Sequence, residues 1–322
     1  MAKAVRYHKQ GGPEVLQLDE VQVGEPAQGQ VRIKHTAIGV NFVDTYQRSG
    51  LYPMQMPAVA GNEGAGVVEA VGAGVTELKA GDRVCYTGIP GSYCEQRLVA
   101  ADRMVKLPQG ISEEQAASML LKGLTVHYLI FSTFKVNRGD AVLWHAAAGG
   151  VGLIACQWLK ALGVTTIGTA GSPEKLALAK AHGADHLINY STEKFVDKVK
   201  EITGGKGVPV VYDSVGKDTL MDSLDSLQPR GSLVSNGTTS GPVVIDSQLL
   251  AVKGSVWVTR PAMMHYITPR PHMLAMADEL FGHVLAGRNT GEPRQSFALA
   301  DAAEAHRALE SRQTTGATVL VP

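Results

Sequence analysis

The stretch His145–Gly152, H-A-A-A-G-G-V-G, restricts the possible folds more than any other part of the chain. Ahead of it, Asp140-Ala-Val-Leu-Trp144 ends in a short apolar run of the kind that forms a buried parallel strand. Behind it, Leu153 to Leu162 is apolar at helical spacing and is closed by Gly163. Strand, glycine turn and helix in that order begin a dinucleotide-binding βαβ unit. Gly149 and Gly150 are expected to turn the chain sharply and bring backbone N–H groups near a pyrophosphate. Gly152 is expected to let the helix lie close to the sheet. The helix N-terminus adds unpaired N–H groups and a partial positive charge. Ala147 stands where the usual fingerprint has its first glycine, giving A-x-G-x-x-G. A glycine-rich turn can also be purely structural, so the flanking chain has to carry part of the argument.

That chain continues the rhythm. Strands are expected at Val164–Thr169, His186–Tyr190, Val208–Asp213, Ser232–Ser235 and Val256–Thr259, with helices at Pro173–His182, Glu193–Thr203 and Thr219–Leu227. Six strands with intervening helices imply a doubly wound parallel sheet. Residues before Ser112 read differently, as alternating strands (4 to about 23, Val31–Ile38, Ala65–Val71, Asp82–Tyr86) separated by glycine turns. Asn41 opens a short helix there as its N-cap. From Ser112 to Ser132 the residues read as helix interrupted by Gly123, and the passage between domains is placed there. After Pro261 come helices at Pro271–Arg288 and Asp301–Arg312 and a strand at Ala317–Val321, a tail expected to pack back on the first domain. At 322 residues two domains are the better prior. The boundaries are set at 1–122 with the return of 263–322, and 123–262.

Composition excludes several classes. Thirty basic and thirty acidic side chains balance, so no polyanion partner is indicated, and three scattered cysteines make no disulfide framework. No apolar signal core opens the sequence, and Lys122 and His127 interrupt its longest apolar stretch, so no membrane span is expected. A soluble protein of the reducing cytoplasm is expected.

In NAD-binding versions of the fold an acidic residue roughly 20 positions beyond the glycines binds the ribose 2′-hydroxyl. Here the strand tip reads Thr169-Ala-Gly171, followed by Ser172 as N-cap and Pro173 as first helical residue. Lys175 falls in the first helical turn, where a cation opposes the helix dipole by about 0.3–1 kcal/mol. A phosphate monoester would reverse that penalty, which favours NADPH over NADH. Tyr190 ends the next strand and could lie against the same phosphate. Asp213-Ser214-Val215-Gly216 and Ser235-Asn236-Gly237 lie at strand carboxyl ends, where open α/β sheets bind ligands; either could equally be turn chemistry.

Together, Asn41-Phe-Val-Asp44, Gly61-Asn-Glu-Gly-Ala-Gly66, Ala80-Gly-Asp-Arg-Val84, Lys122-Gly-Leu-Thr125, the glycine turn and Tyr212-Asp-Ser-Val-Gly216 resemble the medium-chain dehydrogenase/reductase superfamily. More narrowly, the chain resembles the zeta-crystallin-like quinone oxidoreductases of bacterial type along its whole length. The resemblance implies an α/β protein: a GroES-like β-rich catalytic domain plus a Rossmann doubly wound parallel sheet, with a cleft between them. It also implies NADPH as donor, quinones as acceptors and homodimers paired through the Rossmann domain. By position, Lys175, Tyr190 and Arg312, with Gly171 and Ser172, would hold the 2′-phosphate, and Gly150 and Val151 the pyrophosphate. Asn236, Val258 and Arg260 would surround the ribose and nicotinamide, and Asn41, Tyr46, Tyr52 and Thr125 the acceptor.

The zinc alcohol dehydrogenase branch has Cys where Asn41 stands and His where Asn62 stands, and the four structural-zinc cysteines are missing here. Amide side chains bind zinc poorly, so no metal is expected. Losing that Lewis acid disfavours alcohol oxidation and suits an electron-poor quinone. Asn41 and the hydroxyl of Tyr46 or Tyr52 are expected to hydrogen-bond its carbonyl. Reduction of enones or 2-alkenals is the alternative chemistry. A nucleotide-bound RNA-binding or crystallin-like protein is the alternative class, against which the neutral charge argues.

Overall fold

Alternating apolar and polar residues fold first as β1 (Ala2–Tyr7) against β2 (Gln17–Val21), antiparallel from Ala2↔Val21 to Arg6↔Gln17. The 11-residue strand β3 (Gln30–Val40) buries Val31, Ile33, Ala37 and Ile38 and leads into α1 (Phe42–Ser49). There follow β4 (Ala58–Val59), β5 (Glu63–Val71), β6 (Arg83–Thr87), β7 (Gln96–Ala100), β8 (Val105–Lys106) and α2 (Glu113–Tyr128). This computed structural model describes all 322 residues. It divides the chain into two units, Met1–Leu124 with Thr268–Pro322, and Thr125–Ile267.

The helix α2 is continuous through Gly123, contrary to the expected interruption. The glycine there is a packing device, because a Cβ would sit 2.6 Å from Cδ1 of Leu280. An α-helix tolerates one interior glycine at a cost of about 1 kcal/mol, and the close approach of Leu280 explains its use.

The second unit holds β9 (Ala141–Trp144), α3 (Gly150–Leu162), β10 (Thr165–Ala170), α4 (Pro173–Ala181), β11 (His186–Asn189) and α5 (Phe195–Ile202). It continues with β12 (Val208–Asp213), α6 (Leu220–Asp225), β13 (Leu227–Ser235), α7 (Ser247–Val252) and β14 (Trp257–Thr259). All six strands run parallel in the order β11-β10-β9-β12-β13-β14. That order reverses direction at β9, so the crevice between β9 and β12 at their carboxyl ends is the topological switch point. Leu143, Ile167, Val211 and Leu233 build one apolar layer with Phe195, Val199 and Leu224 from the helices.

The tail returns to the first unit as α8 (Arg270–Leu285), β15 (Pro293–Ala298), α9 (Ala302–Glu310) and β16 (Ala317–Val321). β16 pairs antiparallel with β3, Thr318 opposite Val40, and parallel with β15. The sheet reads β15-β16-β3-β5-β6-β8, with β7 also on β3. Leu299, Ala302, Ala305 and Leu320 share a core with Val5, Tyr7, Ile38 and Tyr93.

Gly39 of β3 is where this unit is tightest. A methyl group there would overlap the Ala117 carbonyl and the Glu63 carboxylate, neither of which has free space to move into. Gly39→Ala is therefore expected to destabilise the protein by about 2–3 kcal/mol through overpacking, read as a lower urea midpoint with an unchanged m value.

Candidate active site

In the first unit the site grows from the start of α1. Asn41 is its N-cap residue, as expected, in a capping box with Asp44, and its Nδ2 donates to Glu63 Oε2 at 2.9 Å. In that box Asp44 Oδ2 accepts the Asn41 backbone N–H at 2.8 Å. Glu63 is fully buried, and so is its partner Lys122, with Nζ 3.2 Å from Oε2. The Leu121 N–H donates to the other oxygen at 2.6 Å. A buried carboxylate is tolerable only when paired and hydrogen-bonded, and Glu63 has one cation and two N–H donors.

Asp44 is equally committed. Its oxygens accept from Asn62 Nδ2 at 2.7 Å and from the Tyr93 hydroxyl at 2.9 Å. Burial pushes its carboxyl up to about 6, against the opposing pull of those hydrogen bonds and of Lys122. Tyr93 in turn lies 3.0 Å from His306 Nε2, and His306 Nδ1 lies 2.9 Å from Arg48 Nη1. Arginine offers no acceptor, so Nδ1 must carry the lone pair and Nε2 the proton. No local pattern encodes this set: Arg48 and His306 are 258 positions apart.

Tyr46 and Tyr52 are brought together, their rings edge to face with centroids 5.5 Å apart, and the Tyr52 N–H donates to the Tyr46 carbonyl at 3.0 Å. Asn41 lies five residues before Tyr46, as the N-cap of the same helix. Arg312 follows α9 in the left-handed region (φ 59°), its N–H on the Leu309 carbonyl. Thr125 belongs to the second unit and is buried in α2.

The glycine turn of the second unit departs from expectation in detail. Gly149 is the N-cap of α3 with φ −78°, and the left-handed residue is Ala146, φ 52°. Gly152 admits the turn rather than the sheet, since a Cβ there would sit 2.6 Å from the Ala147 carbonyl oxygen and collide with that of Ala146. No side chain caps α3, leaving its first N–H groups for a ligand. At the tip of β10, Ser172 Oγ accepts the Lys175 N–H at 3.4 Å. A Cβ on Gly171 would stand 2.7 Å from the Tyr190 hydroxyl. Gly171, Ser172, Lys175 and Tyr190 therefore form one group, with Tyr190 39% exposed beside it.

A second group lies at the ends of β12 and β13. A Cβ on Gly237 would meet Ser214 Cα at 2.7 Å, and the Asn236 N–H donates to the Asp213 carbonyl at 2.8 Å. Arg260 Nη1 donates to the carbonyls of Ser235 and Gly237 at 3.0 and 2.9 Å. Val258 packs partly into the apolar core, leaving its backbone as its polar contribution. Beneath these loops His145 links Thr169 Oγ1 (2.9 Å) to Ser223 Oγ (3.0 Å), and Asp213 accepts from Ser223, Thr219 and the N–H groups of Val215 and Gly216. Sequence reasoning missed that network, although His145 and Asp213 end neighbouring strands.

The donor set does not fit zinc. No three His, Cys, Asp or Glu side chains converge to hold an ion. Glu63 and Asp44 are taken up by N–H and O–H donors, and burial raises the Cys85 thiol well above its usual range. All three cysteines are free and buried, and no helix is long and apolar enough to cross a membrane.

Burial, and then Arg48, push His306 down to about 3. A histidine depressed in the folded state contributes stability that is present above its ordinary value of 6.5 and is lost as pH falls toward 3. Asp44, raised on folding, acts oppositely, its contribution lost as pH rises through about 6. His306→Gln keeps one donor and one acceptor without the titration. Between about pH 4 and 6 the slope of its unfolding free energy against pH, measured in urea, should be more negative than the wild type's by about 1.4 kcal/mol per pH unit, because the opposing contribution of Asp44 is no longer offset.

Comparison with known proteins places this geometry. Residues 27–109 match the family model described as alcohol dehydrogenase GroES-like domain, and 150–277 the model described as zinc-binding dehydrogenase. A quinone oxidoreductase of Pseudomonas aeruginosa is 53% identical over 100% of both chains. The crystal structure of Escherichia coli quinone oxidoreductase complexed with NADPH superposes with a TM-score of 0.98 at 48% identity, covering 100% of each chain. A 2-haloacrylate reductase of Burkholderia is 46% identical over 100% of this chain and 99% of its own. With full-length identity at this level and both family models in sequence, the chain belongs to the quinone oxidoreductase family of the medium-chain dehydrogenase/reductase superfamily.

Proposed function

We propose that the protein reduces quinones at the expense of NADPH. The observation that carries the reading is the group at the tip of β10. Ala170 and Gly171 stand where an acidic residue would select NADH, and Ser172, Lys175 and Tyr190 gather beside them. Relatives named quinone oxidoreductase, one solved with NADPH, support it. Bound NADPH would supply a hydride.

The chain's own residues would do the rest by binding and orientation. Lys175 and Tyr190 are assigned to the 2′-phosphate with Gly171 and Ser172, and Arg312 to the same group. The backbone of Gly149, Gly150 and Val151 is assigned to the pyrophosphate, and Ser214, Asn236, Gly237, Val258 and Arg260 to the ribose and nicotinamide. Asn41, Tyr46, Tyr52 and Thr125 would face the acceptor and the reacting ring. One Asn41 amide hydrogen is held by Glu63; the second is the one an acceptor carbonyl would take. The two units would thus act as catalytic and nucleotide-binding domains.

A second reading differs only in the acceptor. The 46% identical relative named 2-haloacrylate reductase supports reduction of an activated carbon–carbon double bond. We also propose a homodimer through the Rossmann unit. In support, β14 is the edge of its sheet, and Trp257 on it is 69% exposed, with Val252 81% exposed nearby in sequence.

Oxidation of NADPH and NADH with a panel of para-quinones and 2-alkenals tests these assignments. NADPH with a quinone should turn over fastest. Lys175→Ala should raise KM for NADPH about tenfold and leave that for NADH unchanged; equal use of both cofactors by the wild type would overturn the reading. The Tyr46→Phe, Tyr52→Phe double variant should lose about 10²-fold in kcat with quinone, and full retained activity would remove both hydroxyls from the chemistry.

A further inference from the structure

The first unit contains a cavity that none of the residues assigned to the acceptor or the cofactor lines. It holds about 420 Å³, a volume in the range of small-molecule pockets, between β1, the end of β2, the segment leading into β4 and the segment running into β7. β2 keeps its alternation past its end: Val21 and Val23 are half-buried, and Gln22 between them is exposed. Met54, Val59 and Leu98, also half-buried, complete an aliphatic wall. Closed backbone forms the floor, where Ala4 bridges Cys94 and the Val5 N–H donates to the Tyr93 carbonyl at 2.8 Å. No aromatic ring and no carboxylate lines the cavity, and its one charged group is Arg97.

Arg97 is half-buried and pairs with no acidic side chain. Nη1 lies 3.4 Å from both the Tyr86 hydroxyl and the Ile89 carbonyl, and the guanidinium carbon stands 5.5 Å from the centre of the Tyr86 ring. His35 fixes that footing. Its Nδ1 is 2.7 Å from the Cys94 carbonyl, which can only accept, so Nδ1 carries the proton. Nε2, 2.8 Å from the Tyr86 hydroxyl, then accepts, and the Tyr86 lone pairs are left for Nη1. Burial favours this neutral ring, holding His35 down to about 4. Nε and Nη2 are the donors that remain for a ligand. Gly91 leaves the guanidinium uncovered: it adopts φ 102°, and a Cβ there would rest 3.4 Å from Nη1 and 3.5 Å from Nη2.

We infer that this cavity is a binding site for a free aliphatic monocarboxylate, its carboxylate on Nε and Nη2 of Arg97 and its chain along Val21, Val23, Met54, Val59 and Leu98. Two parallel N–H donors of a planar fork match the two oxygens of a carboxylate. A polyanion would find only one cation here, an aromatic acid no ring to stack on, and a sugar mostly methyl groups. An alkyl chain gains by covering those methyl groups from water. The site goes beyond the proposed reaction and stands whether or not a quinone is the acceptor.

Calorimetric titration of the full chain with octanoate, 1-octanol, octylammonium and benzoate tests the inference. Octanoate should bind, 1-octanol and benzoate should each bind at least about tenfold more weakly, and octylammonium should give no heat. Arg97→Gln should weaken octanoate about tenfold and leave 1-octanol within about twofold. Val23→Trp, which places an indole in the cavity, should abolish binding of both while quinone turnover stays within about twofold of the wild type. Absence of octanoate binding, equal affinity for octanoate and 1-octanol, or octanoate binding that neither variant weakens would overturn the inference. So would octanoate that raises KM for the quinone equally in the wild type and in Val23→Trp, because it would then occupy the acceptor pocket. Thermal melts establish that each variant is folded. Should Arg97→Gln melt early, Arg97→Lys takes its place: keeping the charge without the fork, it should bind octanoate more weakly than the wild type and still prefer it to 1-octanol.

Discussion

The first unit depends on one carboxylate shut away from bulk solvent. Glu63 sits at the start of β5 with its side chain fully buried, and the strands around it are arranged to make that bearable. Gly39 on the facing strand withholds the methyl group that would collide with it, and α2 delivers both the Lys122 ammonium and the Leu121 N–H. The desolvation penalty for such a pair is several kcal/mol per ion and is recovered only by close, saturated geometry. What the arrangement secures is orientation: with Nδ2 bonded to Glu63, the Asn41 amide has a fixed direction, and α1 starts from a fixed point. The carboxylate holds an amide in place.

The second unit ties its strand ends together through a buried network of its own. His145, Thr169, Ser223 and Asp213 link the carboxyl ends of β9, β10 and β12 beneath the loops. Burial depresses His145 despite the nearby Asp213, 4.0 Å away, so the ring acts as a neutral hydrogen-bonding bridge between strands. Three loops assigned to one dinucleotide are thereby joined through their bases. Precision at the loop tips follows from a shared buried footing, as expected where function sits on loops and rigidity beneath them.

Local periodicity made much of the architecture legible. The βα rhythm after Gly139 yields six strands in the expected places, because buried parallel strands and amphipathic helices differ plainly in their spacing. The short strands β4, β7, β8 and β15 were missed, since runs of two to six residues on a twisted sheet carry little periodic signal. At the glycine turn the motif was readable and its mechanics were not: sequence points to glycine for an unusual dihedral, whereas Ala146 takes it. Ser172 and Pro173 behaved as local chemistry dictates. Lys122, Tyr93, Arg48 and His306 were invisible as a set because their partners lie 49 to 258 positions away, and no local pattern encodes such distances.

The left-handed Ala146 and Arg312 are both places where this chain forgoes the residue its backbone would find easiest. Laboratory selection for heat tolerance alone would drift toward glycine at both. At Ala146 such drift relaxes a turn whose work is done by backbone. At Arg312 it trades away a guanidinium which, under the assignment proposed above, helps a cell's enzyme tell one nicotinamide pool from the other. Sequence libraries for hardening this scaffold should hold position 312 constant.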